Sequence, residues 1–192
     1  MGKINSYPSD SNVTLADKLI GTDAENNNAT KNFEVGAIFD LFNTAYRSYG
    51  AFYDTADQTA TAINTAKAMS FNTTDFAQDI SIVSNNQITL ANAGTYNIQF
   101  SAQLHDTSGG SSTIYIWLAK NGTAVANTNT KIVMPSNSYH VAAWNFFVDA
   151  NAGDYYQIMW ATSDLDLLIE YEAATGLHPA TPSVILTVNQ IG

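Results

Sequence analysis

Four carboxylates crowd one short stretch of the chain: Asp164, Asp166, Glu170 and Glu172. They alternate with Leu165, Leu167, Ile169 and Tyr171, with Leu168 in the middle. Successive side chains of a strand point to opposite faces, so on a strand these four acids share one face. Hard oxygen ligands set in that way suit calcium, above all if several copies of the chain brought them to a common axis. Calcium is the one cofactor these residues suggest. The same pattern also serves a solvated edge or outer face, where charge keeps sheets from pairing with one another. No D-x-D-x-D-G loop accompanies the acids, and strand residues converge poorly on a single ion.

Other chemistry finds less support. His105, His140 and His178 stand far apart, and no G-x-S-x-G elbow exists through which Ser101 or Ser138 could join one of them in a hydrolase relay. They read as surface or turn histidines. With no cysteine, thiol catalysis, zinc–thiolate sites and a disulfide framework are excluded. Gly109-Gly110 is followed by neither a lysine nor a helix start, so it is a turn rather than a phosphate cradle. Trp117, Trp144 and Trp160 could stack on sugar rings. The apolar contexts W-N-F-F-V and Y-Q-I-M-W assign Trp144 and Trp160 to a core, while Trp117 stays open. The expectation is a protein without enzymatic activity. A pair of carboxylates acting on a polysaccharide is defined by spatial separation, which a sequence does not give.

Composition narrows the field further. Charged residues make up 12% of the chain, against roughly a quarter in an ordinary soluble domain. The formal charge is −10 and the isoelectric point is near 4.3, a field that repels nucleic acid. No apolar run approaches the roughly 20 residues of a membrane helix. The opening M-G-K-I-N-S-Y-P-S-D has no apolar centre, so the expected site of synthesis is a cytoplasm.

The elements that must position these groups are mostly strands. Residues 1–48 read as a polar extended arm to Lys31, then a short helix over 33–46. That helix carries Val35, Ile38, Phe39, Phe42 and Tyr46 at helical spacing. So short a helix is marginal alone and must pack against a partner. From 49 to 192 the pattern is β: strands at 51–55 and 69–76, two pieces over 80–90 folded about Asn85-Asn86, then strands at 94–104, 114–119, 141–148, 155–161, 165–171 and 184–191. An Ala/Thr-rich link over 59–68 could also form a helical turn. Asn121-Gly122 between strand-like runs is a strong hairpin signal. In Gly94–Leu104, Tyr96, Ile98, Phe100, Ala102 and Leu104 form an apolar face. The opposite face, Asn97, Gln99, Ser101 and Gln103, carries no charge, as expected of a surface that lies against another surface. Short strands with a turn every ten or so residues argue for an all-β sandwich or jelly roll.

The ordered motifs A-F-Y (51–53), A-G-T-Y-N-I-Q-F-S-A-Q-L (93–104), L-A-K-N-G-T (118–123), N-A-G-D-Y-Y-Q-I (151–158) and P-S-V-I-L-T-V-N-Q-I (182–191) resemble the globular heads of the complement and tumour-necrosis-factor group. The resemblance covers roughly 49–192 and implies a ten-stranded jelly-roll sandwich that forms homotrimers around an aromatic-lined axis. The aromatics available for that axis are Tyr49, Phe52, Tyr96, Tyr115, Trp117, Tyr155, Tyr156 and Tyr171. The segments K-I-N-S-Y-P and G-T-D-A-E-N-N-N-A-T-K-N-F-E-V-G-A-I (21–38) resemble N-terminal attachment segments of tailed-bacteriophage fibre and decoration proteins.

Together these resemblances imply a virion structural protein. It would be a trimeric knob on the virion surface, decorating or cementing a bacteriophage capsid as head decoration or head fibre. Its partners would be two further copies and, through residues 1–48, the major capsid protein or another virion protein. The second reading is the receptor- or glycan-binding tip of a tail fibre, whose partner is a host-surface glycan.

Overall fold

The computed structural model describes residues 12–44 and 48–192, without the side chains of 42–44. The chain divides into two compact units, Met1–Arg47 and Ser48–Gly192.

In the first unit, β1 (Lys18–Asp23) and β2 (Ala29–Glu34) form an antiparallel hairpin with Lys18 opposite Glu34. The expected extended arm is therefore folded over this stretch, and the asparagine run explains why. Asp23 accepts a hydrogen bond from the Glu25 amide at 3.1 Å and caps a 3-10 turn over Ala24–Asn26. Asn27 and Asn28 then take left-handed φ values of 49° and 58°, which asparagine tolerates at little cost. Lys31 reaches back to Asp23 at 2.6 Å. Helix α1 (Val35–Thr44) follows β2 directly, so Phe33 and Glu34 belong to the strand instead. Val35 and Ile38 are half-buried and Phe39 is exposed; Tyr46 and the side chain of Phe42 lie outside the described residues.

The second unit is a sandwich of antiparallel strands. One layer contains β4 (Lys67–Ala68), β6 (Ile80–Val83), β7 (Gln87–Leu90), β9 (Ser112–Lys120), β10 (Thr123–Ala124), β11 (Thr130–Met134) and β13 (Tyr155–Thr162). Its main path runs β10-β9-β13-β7-β6. The other contains β3 (Tyr49–Asp54), β5 (Thr73–Gln78), β8 (Gly94–Asp106), β12 (Ser138–Ala150), β14 (Leu167–Ile169) and β15 (Val184–Gln190), in the order β12-β8-β15-β3-β5 with β14 also on β8. These are thirteen segments where the resemblance implies ten; β4, β10 and β14 are only two or three residues long.

The turn chemistry falls where the sequence places it. Asn121 and Gly122 have φ of 50° and 80° between β9 and β10. The turn between β6 and β7 sits one residue earlier than Asn85-Asn86, with Ser84 and Asn85 left-handed. The 59–68 link holds β4 and no helix.

Between the layers, Tyr96, Ile98, Phe100, Ala102 and Leu104 of β8 meet Ile114, Ile116 and Leu118 of β9 and Ile158 and Trp160 of β13 in one core. Fully burying one large apolar side chain stabilises by about 1.5–3 kcal/mol, so this alternation selects the register. Among the described residues no helix is long and apolar enough to cross a membrane.

Candidate functional site

Because the odd-to-even alternation of β8 sends its apolar residues inward, Asn97, Gln99, Ser101 and Gln103 line the outer face of the six-stranded sheet. The register assembles that face row by row. Ser101 lies between Ala143 of β12 and Ile185 of β15, and Ile185 is opposite Tyr53 of β3. Gln99 lies between Asn145 and Thr187, with Ala51 and then Phe76 beyond. Asn97 lies between Phe147 and Asn189, with Tyr49 beyond. Gln103 is opposite Val141. Across the rows of Ser101, Gln99 and Asn97 no residue is charged, while Glu170 borders Gln103 at the edge, its amide on the Gln103 carbonyl at 2.8 Å.

Two features distinguish the face from an ordinary wet surface. Large apolar groups stand in the open on it: Tyr139 is 70% exposed and Phe147 66%, and Phe76, Val141 and Ile185 are exposed as well. Its three asparagines are also paired with one another. Asn145 Nδ2 donates to Asn97 Oδ1 at 2.8 Å, and Asn97 Nδ2 donates to Asn189 Oδ1 at 3.3 Å, so a chain of amides crosses three strands. Near the centre Gln99, Ser101, Ala143, Ile185 and Thr187 surround a shallow depression of about 230 Å³. Exposed apolar side chains gathered on one sheet face mark sites of association, and the paired asparagines lower the desolvation penalty of covering it.

The residues singled out from sequence separate into three groups. Tyr49 lies on this face, its ring 6.0 Å from that of Phe76. Phe52, Tyr96 and Tyr156 are enclosed in the core of a single protomer, Tyr96 with no exposure at all, so they offer nothing to a neighbouring subunit. Tyr96 and Tyr156 still satisfy their hydroxyls, on the carbonyls of Asn92 at 2.8 Å and Asp149 at 3.2 Å. Tyr115, Trp117 and Tyr155 are half-buried on the other sheet, and Tyr171 follows β14, its amide bound to Asp57 Oδ1 at 2.8 Å. An aromatic count could not tell these environments apart. Phe147 and Val141 were readable by a different signal: V-A-A-W-N-F-F-V (141–148) is largely apolar on both faces of one strand.

Within one protomer the acidic run does not converge on a single point. The expected 165–171 strand shortens to β14, so the acids do not share a continuous face. Glu170 instead binds His105 Nδ1 at 3.0 Å, and His105 stacks on Tyr139 with ring centres 3.9 Å apart. Glu172 lies 3.7 Å from His178 Nε2, and Asp164 Oδ1 accepts from the Asp166 amide at 3.0 Å. Among the described residues no group of three His, Asp or Glu side chains is placed to hold a metal ion. Nor, among them, does a hydrogen bond join a histidine to a serine hydroxyl. Trp160 is fully buried, and Trp144 packs edge-on against Phe100 at 4.7 Å.

No family model and no curated protein sequence matches the chain. Solved structures do match its fold. Murine APRIL at pH 8.0 superposes with a TM-score of 0.50 and murine APRIL at pH 5.0 with 0.51, each at 10% sequence identity over 76% of this chain and 99% of that chain. The fold is a jelly roll of the tumour-necrosis-factor type. At that identity the likeness speaks to the fold alone.

Proposed function

We propose that this jelly roll is a self-assembling structural module of a bacteriophage virion, a homotrimeric knob held to the particle by residues 1–48. The uncharged outer face of the six-stranded sheet carries the reading. It exposes Val141, Phe147, Ile185 and Phe76 around a row of asparagines that bind one another. A second and third copy of the same chain supply a cover of matching chemistry, neutral against neutral. Protomers with a charge of −10 need such a charge-free meeting point.

The first unit supports an anchoring role. Its hairpin and helix leave Leu19, Ile20, Phe39 and Leu41 exposed, Ile20 at 78%, more apolar surface than so small a unit can cover itself. A virion protein, such as the major capsid protein, is the partner in this reading. The test is binding of the full chain and of a chain lacking 1–48 to purified particles. The full chain should bind and the truncated one should not; equal binding by both would overturn the anchoring role.

The second reading is the receptor- or glycan-binding tip of a tail fibre. One observation favours it: a groove of about 500 Å³ lined by Tyr115 and Trp117 on the seven-stranded sheet. A particle-binding knob and a cell-binding tip separate by incubation with capsids and with host cells.

A further inference from the structure

The outer face of the seven-stranded sheet holds a groove of about 500 Å³ over Tyr115 and Trp117. Ile114, Ile116 and Leu118 of β9 turn into the core, so the two rings between them turn outward, two residues apart and half-buried. Directly across from Tyr115 on β13 stands Ala161, whose small side chain leaves the space above the floor open.

One wall is the 124–129 segment, and its shape is fixed by hydrogen bonds. The Val125 amide donates to the Leu118 carbonyl at 2.8 Å, the Leu118 amide donates to Thr128 Oγ1 at 3.1 Å, and Thr128 Oγ1 donates to the Val125 carbonyl at 2.8 Å. Asn127 takes a left-handed φ of 64° in this segment. The opposite wall carries Asn64, also left-handed at 53°, pinned by its amide to the Thr162 carbonyl at 2.7 Å.

Asn64, Asn127, Asn129, Tyr115 and Trp117 line this trough, and their side chains carry three amides, a hydroxyl and an indole N–H. None of these groups has a hydrogen-bond partner within the chain among the described residues, unlike the paired amides of the other face. No charged residue lines the groove.

The geometry points to a binding site for a neutral saccharide, a mono- or disaccharide unit of a larger glycan. A sugar ring has a C–H face that packs on aromatic rings, and an edge of hydroxyls that both donate and accept, as amides do. The volume lies within the range of small-ligand sites. The net charge of −10 disfavours anionic ligands; the cation beside the floor, Lys131, is opposite Tyr115 on β11 and outside the lining. A wholly apolar ligand would strand the amides without partners. This inference gives the adhesion reading its site and rests on no statement about subunit number.

The test is a glycan array probed with the full chain, carrying neutral glycans and their sialylated counterparts. Indole fluorescence titrations with each free neutral oligosaccharide that scores would follow. At least one neutral glycan should bind, and its sialylated counterpart should bind no better. Trp117→Ala should lower affinity at least ten-fold, and so should Asn127→Ala combined with Asn129→Ala on the exposed wall, a change that leaves the core untouched. No neutral glycan bound, tighter binding of the sialylated forms, or affinity unmoved by the Asn127/Asn129 pair would each overturn the site. A chain that fails on the array but keeps its threefold mass loses the groove and retains the assembly.

Discussion

Asn145 donates its side-chain N–H to the Asn97 carbonyl oxygen at 2.8 Å, across the boundary between β12 and β8 on the open face of the six-stranded sheet. Asn97 passes the pattern on to Asn189 at 3.3 Å. Asn97→Ala removes the middle of this chain and leaves two amides to be buried without partners on assembly, at about 1–3 kcal/mol for each unsatisfied group. Assembly should weaken roughly ten-fold or more, read by sedimentation velocity over a dilution series. The melting of the separated protomer should hardly change, because there the amides face water.

Phe147→Asp should be harsher. The side chain is exposed in the protomer, so the fold tolerates a carboxylate, and far-ultraviolet circular dichroism should be unchanged. Covering the same position in an assembly would bury an unpaired charge. The expected product is a folded monomer.

Trp160→Ala tests the interior instead. Trp160 is fully enclosed in the core between the layers, and truncating a large buried aromatic costs about 3–5 kcal/mol. Thermal melting should fall steeply whatever the oligomeric state. An unchanged melting temperature would mean that the layers do not close over this residue.

The strand pattern was legible because burial in a two-layer sandwich enforces a period of two, and β8 and β9 obey it through Leu104 and Leu118. The turns at Asn121-Gly122 and near Asn85 were legible because left-handed backbone selects those residue types. The first hairpin was hidden, since its stability comes from an Asp23 cap and a Lys31 contact rather than from apolar alternation. The acidic run misled because alternation signals a face only where the strand persists, and β14 stops at Ile169. Aromatic side chains divided among core, groove and open face according to which sheet and which parity they occupied, a property of register that no residue count contains.

Acid should weaken the protein partly through Asp154. The Lys120 ammonium, 2.7 Å away, holds its carboxyl well below the usual range, helped by hydrogen bonds from Asn121 and the Asn151 amide, both at 2.8 Å. The folded-state value lies below the unfolded one, so this contribution is present above the unfolded carboxylate value of about 3.9 and is lost as pH falls through it toward the folded value. Urea midpoints of the parent chain should drop as pH is taken below about 4. Asp154→Asn should be less stable than the parent near neutrality, and the gap should close in acid. A gap that stays constant with pH would remove Asp154 from the acid response.

The most direct test of the account is the native mass of the full chain at micromolar concentration, by sedimentation equilibrium or light scattering. Self-assembly through the uncharged sheet face predicts three times the 20.7 kDa protomer mass, and loss of that mass on Phe147→Asp. A single folded protomer at 20.7 kDa, stable and unaffected by Phe147→Asp, would contradict it.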